Sequence, residues 1–91
     1  MIFLEIDYIT NDFKIIDIRD SVSYNIKHLP NSVNIDFYKL IIEPSKYLSK
    51  NKKYLLVCLY GIKSKNTSVI LNKMGYHTYS LKDGIKRLLK K

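Results

Sequence analysis

The stretch Tyr54-Leu55-Leu56-Val57-Cys58-Leu59-Tyr60-Gly61-Ile62-Lys63-Ser64 decides how this chain folds. Residues 54–58 are five apolar side chains in a row, set off by the polar run 49–53, and they read as a buried strand. Residues 59–63 contain Gly61 and read as a tight loop. Ser64 is expected to cap and open a helix that runs to Met74, with Gly75 in the left-handed position that ends helices. Working outward, residues 13–18 are short, β-branched and apolar, a second buried strand. Asp20 or Ser21 caps a short helix to about Ile26, and Pro30 breaks the chain by pushing Leu29 out of helical geometry. Residues 32–35 form a brief alternating strand, and 37–48 have helical spacing interrupted at Pro44. A last strand at 77–80 and a last helix at 83–90 complete the alternation. Strands alternating with helices imply βαβ units. The expected fold is α/β, a central, mostly parallel sheet with helices on both faces, in one domain over 1–91 with a shortened N-terminal element.

Composition narrows the function. The 91 residues carry 16 Lys+Arg against 8 Asp+Glu, a formal charge of +8. Residues 1–45 hold 7 acids and 4 bases, a balance of −3; residues 46–91 hold 1 acid and 12 bases, a balance of +11. That asymmetry predicts a positive field on one part of the molecule, able to attract a polyanion, an acidic protein or a small anion. Nucleic acid is disfavoured: there is no helix-turn-helix pattern, zinc ligand set or Gly-aromatic RNA motif, and only 2 of the basic residues are Arg. No stretch approaches the roughly 18 apolar residues of a membrane span, and no signal peptide opens the sequence. A single Cys, Cys58, excludes an internal disulfide framework and a multi-thiolate metal site. The expectation is a small cytoplasmic domain without a metal or other cofactor and without membrane attachment.

Cys58 is the residue with chemistry. At the C-terminal edge of a parallel strand it faces the crevice where α/β folds place ligands. A loop curling into a helix N-terminus turns backbone N–H groups towards one point. Those donors, with the cations Lys63 and Lys65 nearby, favour thiolate over thiol. A buried structural Cys is the alternative reading of a strand-end cysteine. The ordered loop, with Gly midway, a cation after it and Ser64 last, favours the nucleophile.

On these residues the sequence resembles the rhodanese (sulfurtransferase) family. The family's loop Cys-x-x-Gly-x-Arg-Ser is matched in register by Cys58, Gly61, Lys63 and Ser64. Thr67 and Ser68 occupy its small-residue pair, and Leu71, Gly75 and Tyr76 follow at the Leu and Gly-aromatic positions. Upstream, Ile16-Asp17-Ile18-Arg19-Asp20 is similar to the family's Asp-Val-Arg-Glu segment, and Tyr24, His28-Leu29-Pro30 and Val33-Asn34-Ile35 follow it as in the family. Lys63 departs from the pattern, since it supplies charge without the forked grip of Arg on an oxyanion and leaves thiosulfate activity open. Asp83-Gly84 replaces a Gly-Gly pair and Leu88 a Trp, changes expected to concern packing more than chemistry.

The resemblance implies a sulfurtransferase. Cys58 would take a sulfane sulfur from a small anionic donor (thiosulfate, polysulfide or glutathione persulfide), hold it as a persulfide, and pass it to a thiol, cyanide or protein acceptor. The binding loop would be Leu59, Tyr60, Gly61, Ile62, Lys63 and Ser64, with N–H groups cradling the outer sulfur. The five residues between Cys58 and Ser64 match the shorter family form; phosphatases of related fold have one more. Asp17 and Arg19 are expected to form a structural polar pair or to support the loop, His28 to orient or pack, Lys65 to add charge, and Tyr60 to line the mouth or face solvent. The alternative to an enzyme is a binding or regulatory module of the same fold that docks an acidic partner through its basic half.

Overall fold

Strands and helices alternate from one end of the chain to the other in a computed structural model that describes residues 4–89. In chain order they are β1 (Glu5–Ile6), β2 (Lys14–Asp17), α1 (Ser21–Ile26), β3 (Ser32–Asn34), α2 (Phe37–Ile42), a 3₁₀ turn (Pro44–Lys46), β4 (Lys53–Val57), α3 (Ile62–Lys73), β5 (His77–Leu81) and a 3₁₀ turn (Lys86–Leu89). The sheet order is β1-β5-β4-β2-β3 and every pairing is parallel. The β4 register, Ile15 opposite Leu55 on one side and Leu55 opposite Tyr79 on the other, makes it the middle strand. A middle strand covered on both faces reads as a continuous apolar run, and residues 54–57 are all buried.

Side-chain alternation sorts the core. Ile16, Ile18, Leu56 and Cys58 share one face with Leu40 of α2 and Leu71 of α3. Ile15, Leu55, Val57 and Leu81 share the other with Leu29 and Ile85, and the C-terminal 3₁₀ turn closes over them through Leu89. Each fully buried aliphatic side chain contributes about 1.5–3 kcal/mol. β3 is an edge strand, with Val33 facing out and Ser32 in, its hydroxyl donating to the Leu29 carbonyl at 2.7 Å.

The caps follow local chemistry. The Asp20 carboxylate accepts the Ser23 N–H at 2.8 Å and starts α1, and Asp36 accepts the Tyr38 N–H at 2.9 Å to start α2. At the end of α3, Gly75 (φ 97°) donates to the Asn72 carbonyl at 3.0 Å and Tyr76 to the Leu71 carbonyl at 3.1 Å, the paired bonds of a left-handed helix stop. The Asn72 amide also reaches the Thr78 carbonyl and hydroxyl at 2.8 Å, tying α3 to β5.

Two expected boundaries move. α3 begins at Ile62, two residues before Ser64, and its cap is Gly61 at φ 92°. Ser64 is the third residue of the helix, with its side chain and N–H turned inward, so it caps nothing. The expected helix from 83 starts only at Lys86, as a 3₁₀ turn. Asp83 (φ 65°) and Gly84 (φ 70°) hold left-handed conformations that a right-handed helix excludes. The last residue of that expected helix, Lys90, lies outside the described residues.

Candidate active site

The strand order places a cleft at a defined spot. β2 connects outward to β3, the chain then crosses back to β4, and β5 continues in the opposite direction. The reversal lies between β2 and β4, and crevices form outside the carboxyl ends of strands at such a point. Ile18 and Arg19 follow β2 and Cys58 follows β4. These three line one cavity of about 530 Å³, with the Cys58 loop as one wall and Asp20 and Ser23 on the other.

Cys58 lies at the base of this cavity and is 6% exposed. Its Sγ accepts the N–H of Gly61 at 3.2 Å and the N–H of Ser64 at 3.2 Å. Only a residue without Cβ permits this path: a Cβ at Gly61 would stand 2.9 Å from the Gly84 nitrogen and 3.0 Å from that of Asp83, at a φ that disfavours side chains. In the first turn of α3, amides of Ile62, Lys63 and Ser64 precede the first carbonyl they could bond within the helix; Lys65 is the first to reach back, to Gly61, at 3.1 Å. Ser64 gives its N–H to the sulfur, which leaves those of Ile62 and Lys63 for a group bound above it.

A hydroxyl pair lies beneath the sulfur. Ser64 Oγ is 3.3 Å from Cys58 Sγ, 2.6 Å from Ser80 Oγ and 3.2 Å from the Gly61 carbonyl, and all four residues are buried. Each hydroxyl has one proton to donate. With a thiol at Cys58, the S–H donates to Ser64 Oγ, which donates onward. With a thiolate, the Ser64 hydroxyl turns to the sulfur and Ser80 donates to Ser64 or to the Gly61 carbonyl at 3.4 Å. The pair thus serves both forms without leaving a buried donor unmatched.

The loop is anchored from below by the turn after β5. Gly84 packs so closely that a Cβ there would stand 2.2 Å from the Leu59 oxygen and 2.6 Å from the Tyr60 nitrogen. Ile85 donates to the Cys58 carbonyl and Lys86 to the Leu59 carbonyl, both at 3.1 Å. Sequence reasoning missed Ser80 as a site residue and underrated Gly84. The Asp83-Gly84 dipeptide was the available signal for the turn. Nothing local marked Ser80, because its partner lies on another element.

The facing wall is polar. Asp17, fully buried, accepts Arg19 Nε at 3.0 and 3.1 Å and Arg19 Nη2 at 2.8 Å, and Nη2 also donates to the Lys27 carbonyl at 2.7 Å. Arg19 therefore borders the cavity with its charge already matched. Asp20 is held below the ordinary carboxylate range, first by the Ser23 backbone N–H and further by the Ser23 hydroxyl at 3.2 Å, so it is ionised at neutral pH.

The loop's remaining side chains part company. Tyr60 and Ile62 line the mouth and are exposed, and Lys86 Nζ donates to the Tyr60 hydroxyl at 3.1 Å. Lys63 also lines the cavity, but its ammonium sits 4.6 Å from the centre of the Phe37 ring. Lys65 does not join them: its ammonium is 3.6 Å from the Glu5 carboxylate on β1. Two helical residues apart is about 200° of rotation, which sends Lys63 and Lys65 to opposite sides. His28 stacks on Tyr24 with ring centres 3.8 Å apart and meets the Tyr24 carbonyl through Nδ1 at 2.7 Å; it lines no part of the cavity.

Comparison with known proteins agrees with this geometry. A family model described as Rhodanese-like domain matches residues 6–91. The chain is 35% identical over 74 residues to thiosulfate sulfurtransferase GlpE of Coxiella burnetii, covering 80% of this chain and 68% of that protein. It is 35% identical over 77 residues to the tRNA uridine(34) hydroxylase of Buchnera aphidicola, covering 77% of this chain and only 24% of the relative. Among solved structures, a rhodanese-related protein from Thermoplasma volcanium superposes with a TM-score of 0.75 at 26% identity, over 84% of this chain and 75% of that one. The chain belongs to the rhodanese-like domain family. Among the described residues, no helix is long and apolar enough to cross a membrane.

Proposed function

We propose that this protein is a sulfurtransferase that carries a sulfane sulfur as a persulfide on Cys58. The observation that supports it most is the pair of N–H groups from Gly61 and Ser64, each 3.2 Å from a sulfur at the base of an open cavity. In the first half-reaction the Cys58 thiolate attacks the donor's sulfane sulfur. A new S–S bond forms at Sγ as the donor's S–S bond breaks, and the leaving group takes the electron pair, as sulfite from thiosulfate or as a thiolate from an organic persulfide. The N–H groups of Ile62 and Lys63 then face the negative outer sulfur. In the second half-reaction a thiol, cyanide or protein nucleophile attacks that sulfur and Cys58 leaves as thiolate. Both steps are two-electron displacements, so the cysteine itself is the carrier and no metal is called for. A cytoplasmic location belongs to this reading, because a reducing compartment keeps a lone thiol free.

The test is intact-mass analysis after exposure to thiosulfate, polysulfide and glutathione persulfide. The expected result is a gain of one sulfur, absent in Cys58→Ser. No adduct from any of the three would sink the proposal. If Cys58→Ser then kept function in cells while Lys-to-Glu changes at Lys63, Lys65 and Lys73 abolished it, a docking module for an acidic partner would take its place.

A further inference from the structure

Ser80 is fully buried on β5, and a hydroxyl in such a place needs partners. It has Ser64 Oγ at 2.6 Å and the Gly61 carbonyl at 3.4 Å. Neither serine lines the Cys58 cavity, so both stand behind the sulfur as a donor molecule would see it. Ser64 reaches Sγ directly at 3.3 Å, and Ser80 reaches it through Ser64. Proton counting gives this group two settings. When Ser80 donates to Ser64, the Ser64 proton is free to turn to the sulfur. When Ser64 donates to Ser80, the Ser80 proton goes to the Gly61 carbonyl and the sulfur receives neither. That carbonyl also accepts the Lys65 N–H at 3.1 Å, so it stays matched when both hydroxyls turn towards the sulfur. The first setting suits a charged Sγ. In a persulfide the charge sits on the outer sulfur, and Sγ, bonded on both sides, is a weak acceptor that suits the second.

We propose that Ser80 is a positioning residue for sulfur release: by donating to Ser64 it turns the Ser64 hydroxyl onto Sγ as Cys58 leaves. This rests on the sulfur-transfer reading above and adds a residue that acts unequally on its two half-reactions. On discharge to cyanide, the cyanide carbon bonds to the outer sulfur and the S–S bond breaks. Thiocyanate departs, and the S–S electron pair stays on Sγ as the thiolate. A hydrogen bond engaged only as that charge appears lowers the barrier. On charging, the same hydrogen bond already holds the thiolate before it attacks. Its loss there destabilises the starting state as well as the transition state, and the two effects partly cancel.

In the experiment, Cys58 is charged from glutathione persulfide, freed of donor and mixed with cyanide, and both steps are timed by quenched mass spectrometry. In Ser80→Ala, discharge is expected to slow on the order of tenfold and charging only several-fold, so the ratio of the two rates falls. Ser64→Ala is expected to slow discharge at least as much. Adding Ser80→Ala to it should change discharge no further, because Ser80 acts through Ser64. A merely structural role would loosen the loop, slow both half-reactions alike and add to the effect of Ser64→Ala. Either equal slowing of the two steps or an unchanged discharge rate in Ser80→Ala overturns the assignment, and so does an additive double variant. Should Ser64→Ala fail to fold, the rate ratio in Ser80→Ala decides alone. Absence of persulfide on wild-type Cys58 from thiosulfate, polysulfide and glutathione persulfide overturns the sulfurtransferase reading instead.

Discussion

On its loop side the Cys58 sulfur is held by backbone and small buried side chains beneath exposed Tyr60 and Ile62, whereas the opposite wall is a capped turn leading into a helix that buries none of its residues. On the loop side, Gly61, Ser64, Ser80 and Gly84 hold the sulfur and its surroundings at contact distance. On the α1 side, one buried ion pair fixes the turn, and no residue of α1 itself is buried. The difference teaches which wall is held rigid around the sulfur. Donors that must meet a developing charge need rigidity, which backbone amides wedged by glycine supply. The α1 wall makes no such contact with the sulfur, and a short capped helix with no buried residue is enough to bound the cavity there.

That contrast is open to attack at several points, and the largest effect is expected at Gly84. Gly84→Ala drives a Cβ into the Leu59 carbonyl, backbone against backbone, in a left-handed conformation. A loss of about 3 kcal/mol or more is expected in urea denaturation, with loss of persulfide formation in whatever folds. If the protein tolerates it at full activity, the loop wall is not rigid. Next comes Asp17→Asn, which strands the Arg19 guanidinium at 12% exposure. About 3 kcal/mol is expected. Because the damage lies on the α1 wall, Cys58 should still accept sulfur, and loss of that ability in folded protein would show that the two walls are coupled. The smallest effect is expected from Ser80→Ala, which removes one partner of the Ser64 hydroxyl. About 1 kcal/mol of stability is expected to go, with a several-fold slower first half-reaction. An unchanged rate would mean that the hydroxyl pair holds the loop without helping the sulfur.

Much of this was legible from local chemistry. Residues 54–58 announce a buried strand because five apolar side chains in a row have no solvated face. Asp20, Pro30, Pro44 and Gly75 place their boundaries because a cap, a ring or a left-handed residue acts within a few bonds of itself. The order Cys58, Gly61, Ser64 located the candidate site for the same reason. Ser64 misled as a cap because a serine after a glycine loop looks the same from sequence whether its hydroxyl points at its own helix or at a sulfur. The helix expected from residue 83 failed because Asp83-Gly84, a dipeptide suited to a left-handed turn, was read as the start of a helix.

The sequence by itself determined the alternation of strands and helices, the parallel sheet and the cysteine at the end of a buried strand. Those follow from periodicity and from residues whose backbone preferences are intrinsic. Only the tertiary structure decided that Gly84 wedges the loop, that Ser80 meets Ser64 and that Arg19 is neutralised while Asp20 is not. It also decided which partner each lysine near the site takes: Lys63 lies over Phe37 at the cavity, Lys86 meets Tyr60 at its mouth, and Lys65 turns away to Glu5. A flexible four-carbon side chain takes whichever partner the fold brings within reach, so its charge can be counted from the sequence but its direction cannot.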